Sequence, residues 1–296
     1  MLIDKYLQYI RSERGYSELT VLSYQTDLRQ FEEYVEKKKS KTFDLTQTEA
    51  EDVRNWMVSL KLGGEKSSSI NRKLSALRSF FKYLQKHDVV KKSPMSEILL
   101  AKKEKRLPSF LRENQMDDLL ENLNDVFDDS FEGVRNKLII EAFYTLGIRR
   151  AELISLKDEN VNLSGNYLKV VGKGGKTRLI PFGERLKKSM QAYLQLRRET
   201  MRRTSVFFFQ RATGEQMYPM LIHRIVNKYL KIVSSQTKTS PHVLRHTFAT
   251  VMLNNGAEIN AVKELLGHAS LAATEVYTHT TFEELQKIYK QAHPRA

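Results

Sequence analysis

Between positions 240 and 279 the chain carries Ser240-Pro241-His242-Val243-Leu244-Arg245-His246, then Leu266-Gly267-His268, then Tyr277-Thr278-His279. Ser240 and Pro241 form an N-cap and first-turn pair, which places His242 and Arg245 on a helix. Three positions apart, they project from one face and can converge on one ligand, and His246 shares that neighbourhood. Gly267 ends the next helix and delivers His268 at its C-terminal edge, while Ser270 opens the helix that carries Tyr277. A cation, two or three imidazoles and a phenol in this order suit a site that grips a phosphate and attacks it with tyrosine. A lone buried histidine or tyrosine is more often structural; the joint spacing is what points to chemistry.

Two other chemistries fit less well. His242 and His246 stand at i and i+4, but a zinc protease helix needs glutamate after its first histidine, and Val243 is there. Gly175-Lys176-Thr177 imitates the end of a phosphate-binding loop, yet that motif requires glycine where Val170 stands, and here the loop feeds a strand. With zero cysteines there is no disulfide framework, no cysteine-ligated zinc and no thiol nucleophile. Any covalent step must use another side chain, and the expectation is no metal and no cofactor.

These residues need elements to hold them. The first hundred residues read as helices: Leu2, Ile3, Tyr6, Leu7 and Ile10 repeat at helical spacing up to Gly15. Ser17 caps a second helix with Leu28, Phe31 and Val35 on its stripe, and a third after Thr48 holds Trp56. From Ser67 to Lys86, Ile70, Leu74, Leu77, Phe81 and Leu84 share one face. Arg72, Ser75, Ser79, Lys82 and Lys86 share another, with no acid among them. An apolar back and a basic, small-polar front suit a DNA major groove; an ordinary solvated lysine face is the plainer reading. Lys73 belongs to the same candidate DNA-binding set as Arg72, Ser75, Ser79 and Lys82.

Residues Leu100 to Phe110 read as an extended charged linker. A second domain begins near Leu111, with Val134, Leu138, Ile139, Ala142 and Phe143 as a buried stripe. Tyr167–Val171 and Arg178–Ile180 are β-prone around the turn Gly172 to Thr177, and helices resume from Gly183. The expected fold is mainly α with a small antiparallel β-sheet in the C-terminal catalytic domain, as a two-domain, C-shaped clamp able to close around a duplex. Its parts are a helical N-terminal DNA-binding domain at 1–100, a linker at 101–110 and a catalytic domain at 111–296. A tail helix lies within 281–296, opened by the capping-box sequence Thr281-Phe282-Glu283-Glu284 with Leu285, Ile288 and Tyr289 on its apolar face. So short a helix needs a surface to pack on.

Forty-nine lysines and arginines against 35 acids give 296 residues a formal charge of +14. Such a surplus favours a polyanion, because each neutralised phosphate releases counterions. No apolar run is long enough to span a membrane and no signal peptide opens the sequence, so the expectation is a cytoplasmic protein with no membrane partner.

Tyr144-Thr145-Leu146-Gly147-Ile148-Arg149-Arg150-Ala151-Glu152-Leu153 adds an arginine just beyond a buried helix and a carboxylate three residues later. With it the sequence resembles the tyrosine recombinase (λ integrase) family. That family's pattern is an arginine in a G-[LI]-R-x-x-E context, a lysine in a β-hairpin, H-x-x-R, L-G-H and a nucleophilic tyrosine. All five occur here in order. The resemblance covers the whole chain, and the ending Gln291-Ala292-His293-Pro294-Arg295-Ala296 looks most like the bacterial Xer type, XerC/XerD-like.

The resemblance implies that Arg149 and Arg245 grip the scissile phosphate and Tyr277 attacks it, forming a 3′-phosphotyrosine. It implies that His242 exchanges the phenol proton, Lys173 protonates the leaving 5′-oxygen, His268 holds a phosphate oxygen and Glu152 orients Arg149 or the histidine rather than touching DNA. The family frame picks Lys173 over Lys176 and Arg149 over Arg150; Ala151 replaces a serine common in the family, and His246 and His279 are left to structure. It further implies double-stranded DNA as partner, a tetramer on DNA with a second Xer recombinase, an FtsK-type DNA translocase, and resolution of chromosome dimers at a dif-like site. The tail helix is expected to dock on a neighbouring subunit, so deleting 281–296 should abolish strand exchange and spare much DNA binding. The alternatives are an integrase or invertase of a mobile element and, in another class, a DNA-binding protein that does not cleave.

Overall fold

The computed structural model describes residues 2–39, 43–102, 110–123, 126–172, 175–201, 205–234, 239–267 and 281–296. Lys173, His268, Ser270, Tyr277 and His279 lie outside the described residues, as does most of the charged segment between positions 100 and 110. The chain divides into two compact units, Met1–Arg106 and Leu107–Ala296. Among the described residues the protein is mainly helical, and its strands form one three-stranded antiparallel sheet.

The N-terminal unit consists of α1 (Leu2–Ser12), α2 (Glu18–Lys38), α3 (Ala50–Leu62) and α4 (Ser67–Lys86). Ser17 caps α2, its hydroxyl accepting the Thr20 amide, and so satisfies one of the donors a helix start leaves open. Ile3, Tyr6, Ile10, Leu28, Phe31 and Trp56 meet the apolar back of α4, where Ile70, Leu74, Leu77, Phe81 and Leu84 are all buried. Each such side chain contributes roughly 1.5–3 kcal/mol on leaving water.

The second unit opens with the short α5 (Glu113–Asp117), which continues as a π turn through Asn122. Then comes α6 (Phe131–Leu146), which lies against α8 (Glu184–Thr200) and α10 (Pro241–Asn254). Its burial exceeds a stripe: Ile140, Tyr144, Thr145 and Leu146 are covered along with Leu138, Ile139, Ala142 and Phe143, while Val134 is only half-buried. Because neighbours cover it on several sides, apolar periodicity understates how central this helix is. Gly147 ends it in the left-handed region at φ 58°, where a Cβ would also overlap Phe248. The chain then turns through Arg149 into α7 (Arg150–Ser155).

The sheet orders β1 (Val161–Asn162), β2 (Tyr167–Val171) and β3 (Thr177–Pro181), with Leu168 facing Ile180 and Val170 facing Arg178 across the β2–β3 pair. The strand β1 is too short to carry an alternating signal and is not anticipated by the sequence pattern. The remaining helices are α9 (Pro219–Val233), α11 (Ile259–Leu266) and α12 (Phe282–Ala292). Ser240 holds the N-cap position of α10, but its side chain makes no capping bond; Pro241 at the first turn sets the start.

The helix α12 finds its surface on its own unit: Leu285, Tyr289 and Ala292 are buried with Phe248, Met252, Ala261 and Leu265 of α10 and α11. Thr281 and Glu284 complete the capping box. Beyond the helix, His293 and Arg295 are buried too, and the Arg295 guanidinium reaches Asp117 at 3.1 Å and Glu121 at 2.7 Å. No helix among the described residues is long and apolar enough to cross a membrane.

Candidate active site

Three arginines, one carboxylate and one helix end converge in the second unit. The helix end is the C-terminus of α11, whose last carbonyls have no partner within the helix and carry the negative end of its dipole. Each accepts a different guanidinium: Arg178 Nε donates to Leu265 at 2.8 Å, Arg245 Nη2 to Leu266 at 2.6 Å, and Arg149 Nη2 to Gly267 at 2.7 Å. Arg245 also donates through Nη1 to the Gly147 carbonyl at 2.6 Å, so it ties the ends of α6 and α11 together. Both helices stop at left-handed glycines, which bare those carbonyls.

Glu152 is the anionic centre. Arg149 sits at the N-cap of α7 and Glu152 at its third position; the Arg149 amide donates to Oε2 and its Nη1 to Oε1, both at 2.7 Å. Arg178 forks onto the same carboxylate from β3, with both bonds at 2.9 Å. Burial pushes the Glu152 carboxyl up, but the hydrogen bonds and charge of Arg178 and Arg149 overcome it and set the group at about 2. Three guanidiniums therefore face one carboxylate, and the surplus is positive. Arg245 registers the excess: burial first, then repulsion from Arg149 and Arg178, lowers it to about 10. An incoming anion would relieve that repulsion.

His242 is exposed on the first turn of α10, one turn ahead of Arg245, and His246 lies against the Phe110 ring. Of the site residues read from sequence, the structure thus brings together Arg149, Glu152 and Arg245. Lys173, His268 and Tyr277 are outside the described residues. Arg178 was missed. Strand alternation is the signal that could have found it, because Arg178 shares a face with Ile180, opposite the buried Val170. An arginine on a buried face requires a partner. Among the described residues no group of three or more histidines and acids is placed to hold a metal ion.

In the N-terminal unit, Arg72, Ser75 and Lys82 are exposed along α4 and Ser79 is half-buried. Arg72 donates to Ser23 and to the buried Asp27 of α2. Lys73 requires a correction: it is 4% exposed, with its ammonium on Gln30 and 3.2 Å from Glu65. The acids that bury it come from elsewhere in the chain, which a reading of α4 alone does not reveal.

Residues 109–284 match the model of the phage integrase family, and residues 3–87 match the N-terminal SAM-like domain of phage integrases. The chain belongs to the phage integrase family. It is 37% identical over 320 aligned positions to tyrosine recombinase XerC of Chlorobaculum tepidum, covering 99% of this chain and 94% of that one. Tyrosine recombinase XerC of Staphylococcus saprophyticus is also 37% identical, over 98% of this chain and 96% of its own. The crystal structure of XerH site-specific recombinase bound to difH substrate, a pre-cleavage complex, shares the fold. Its TM-score is 0.71 at 23% identity, over 96% of this chain and 83% of that chain. This phage integrase family member is a tyrosine-type site-specific recombinase. Within it, the arginine of the G-I-R-R-A-E-L stretch is the N-cap of α7 and the glycine of L-G-H is the left-handed end of α11.

Proposed function

We propose that this recombinase cuts and rejoins duplex DNA at a dif-like chromosomal site, resolving chromosome dimers at cell division. The observation that carries the phosphate-binding part is the surplus of guanidinium over carboxylate where Arg149, Arg178 and Arg245 converge around the single carboxylate of Glu152 at the end of α11. Arg149 and Arg245 then fork onto the nonbridging oxygens of the scissile phosphate and stabilise the charge that builds on them in the pentacoordinate transition state. Glu152 fixes Arg149 from below. Tyr277 attacks phosphorus; the P–O bond to the 5′-oxygen breaks as the bond to the phenolic oxygen forms, leaving a 3′-phosphotyrosine and a free 5′-hydroxyl.

A phenol holds its proton up to about pH 10, so a neighbour must accept it, and His242 takes that role. Lys173 gives a proton to the leaving 5′-oxygen, and His268 hydrogen-bonds a phosphate oxygen. The energy of the broken phosphodiester is kept in the phosphotyrosine, so rejoining needs no nucleotide. In the N-terminal domain, Arg72, Ser75, Ser79 and Lys82 of α4 face the duplex. The assembly is a tetramer on two DNA sites, formed with a second Xer recombinase and driven by an FtsK-type translocase. The sequences of the XerC relatives over nearly the whole chain support this reading over that of a mobile-element integrase.

A nicked suicide duplex carrying a dif-like site tests it. The wild-type chain should form a covalent protein–DNA adduct that survives denaturation, and Tyr277→Phe should form none. An adduct persisting in Tyr277→Phe, or no adduct from the wild type, would sink the mechanism.

A further inference from the structure

We infer that Arg178 is a positioning residue of this site: from β3 it holds Glu152 and the end of α11 at once, and thereby sets the geometry of Arg149 and Arg245. The inference rests on the reading of those two arginines as the phosphate grip. Arg178 is the one of the three guanidiniums with two of its bonds on the carboxylate in fork geometry and a third on a backbone carbonyl. Its side chain is 12% exposed and that of Glu152 4%, whereas that of Arg149 is 35% exposed. Arg178 thus lies beneath the site and Arg149 at its mouth.

The bonds form a closed loop. Glu152 links Arg178 to Arg149, Arg149 returns to Gly267, and Arg178 and Arg245 hold the two carbonyls before it. Without Arg178, Glu152 keeps hydrogen bonds only from Arg149 among the described residues, and Leu265 loses its partner. A buried carboxylate with too few donors draws Arg149 inward or takes up a proton. Either shifts the guanidinium from the place where phosphate oxygens must meet it. A misplacement of about 1 Å costs on the order of 10²-fold in rate.

Among the described residues, the charged groups facing Glu152 are Arg149, Arg178 and Arg245. With the bonds from Arg178 and Arg149 in place its carboxyl sits at about 2; removing Arg178 leaves burial less opposed, so the folded-state value rises. The stability deficit of an Arg178 variant is then largest at neutral pH, where Glu152 is charged. It shrinks as pH falls and the variant takes up a proton that the wild type does not.

The experiment compares the full-length wild type, Arg178→Met, Arg178→Lys and Arg178→Met/Glu152→Gln on the same nicked duplex and in thermal melts. In Arg178→Met, adduct formation should fall ~10²-fold with duplex affinity within about twofold, as for a residue that acts in the transition state and not in DNA capture. Arg178→Lys, which keeps the charge without the fork, should fall between. The Tm deficit of Arg178→Met should shrink from pH 7 to pH 4, and the double variant should melt above the single one at pH 7. If Arg178→Met does not fold, Arg178→Lys carries both readouts. Cleavage within twofold of wild type, parallel loss of cleavage and duplex binding, or a Tm deficit equal at the two pH values overturns the inference. Absence of adduct from the wild type would instead count against the cleavage reading, and the melts would still decide the role of Arg178.

Discussion

At Gly267 the backbone stands at φ 63°, and its carbonyl accepts Arg149. A Cβ there would lie 2.9 Å from Nη1 and 3.1 Å from Cζ of Arg178, so the guanidinium occupies the space a side chain would need. Two costs therefore attach to Gly267→Ala: a left-handed alanine, about 1–2 kcal/mol, and displacement of Arg178 from Glu152. Gly256 separates them, because it has φ 86° and a Cβ there would meet nothing within 4 Å. Gly256→Ala should lower Tm by the backbone cost alone, and Gly267→Ala should lower it further. Only Gly267→Ala should also slow adduct formation, by ~10-fold or more given the distance sensitivity of a positioned site. Equal adduct rates for the two variants, measured on one nicked duplex, would show that the contact with Arg178 is catalytically idle.

Among the elements, the tail shows how a local pattern and its packing diverge. The capping box and apolar face of α12 are legible in the sequence, but the surface they meet is not, since it is assembled from α10 and α11. The same limit hid Arg178 and misplaced Lys73, whose partners lie on other elements. By contrast, the amphipathic back of α4 and the convergence of Arg149 with Glu152 follow from spacing within one element. The tail carries a testable pH signature through His293. Its Nδ1 accepts the Arg295 amide at 3.1 Å, which leaves the ring proton on Nε2, 3.3 Å from the Tyr144 carbonyl. The ring stacks on Phe248 and Tyr289. Burial lowers its pKa from 6.5 to about 4, and a second proton at Nδ1 would oppose a donor already there. Since the unfolded chain binds that proton first, this contribution is full above pH 6.5 and is lost as pH falls toward 4, roughly 3 kcal/mol in all. Denaturant melts between pH 7 and 5 should show stability falling in the wild type and a shallower fall in His293→Gln. Deleting 281–296 should lower Tm outright, because it uncovers Phe248, Met252 and Leu265. Identical pH slopes in wild type and His293→Gln would mean that the buried imidazole does not govern acid stability.

For the whole molecule, a net charge of +14 sets the expectation of salt-sensitive DNA binding, but not every cation contributes to it. Several are already matched at close range: Arg29 with Asp4 and Glu32, Lys39 with Asp52, and Lys73 with Glu65. A matched, buried ammonium cannot reach and neutralise a phosphate, whereas an exposed one facing the duplex displaces a cation condensed on the DNA when it binds. With about six phosphates neutralised, affinity should drop ~10³-fold between 50 and 200 mM salt. Lys82 and Lys73 lie nine positions apart on the same helix and make the distinction sharp. Lys82→Ala should weaken binding across sequences and reduce the slope of log affinity against log salt by about 1. Lys73→Ala should leave that slope unchanged and instead lower Tm, because Asp27 and Glu65 lose a buried partner. Titrations of a labelled duplex at several salt concentrations, paired with melts of each variant, give both numbers. A slope that changes for Lys73→Ala and not for Lys82→Ala would place the DNA on another face of this domain than the open side of α4.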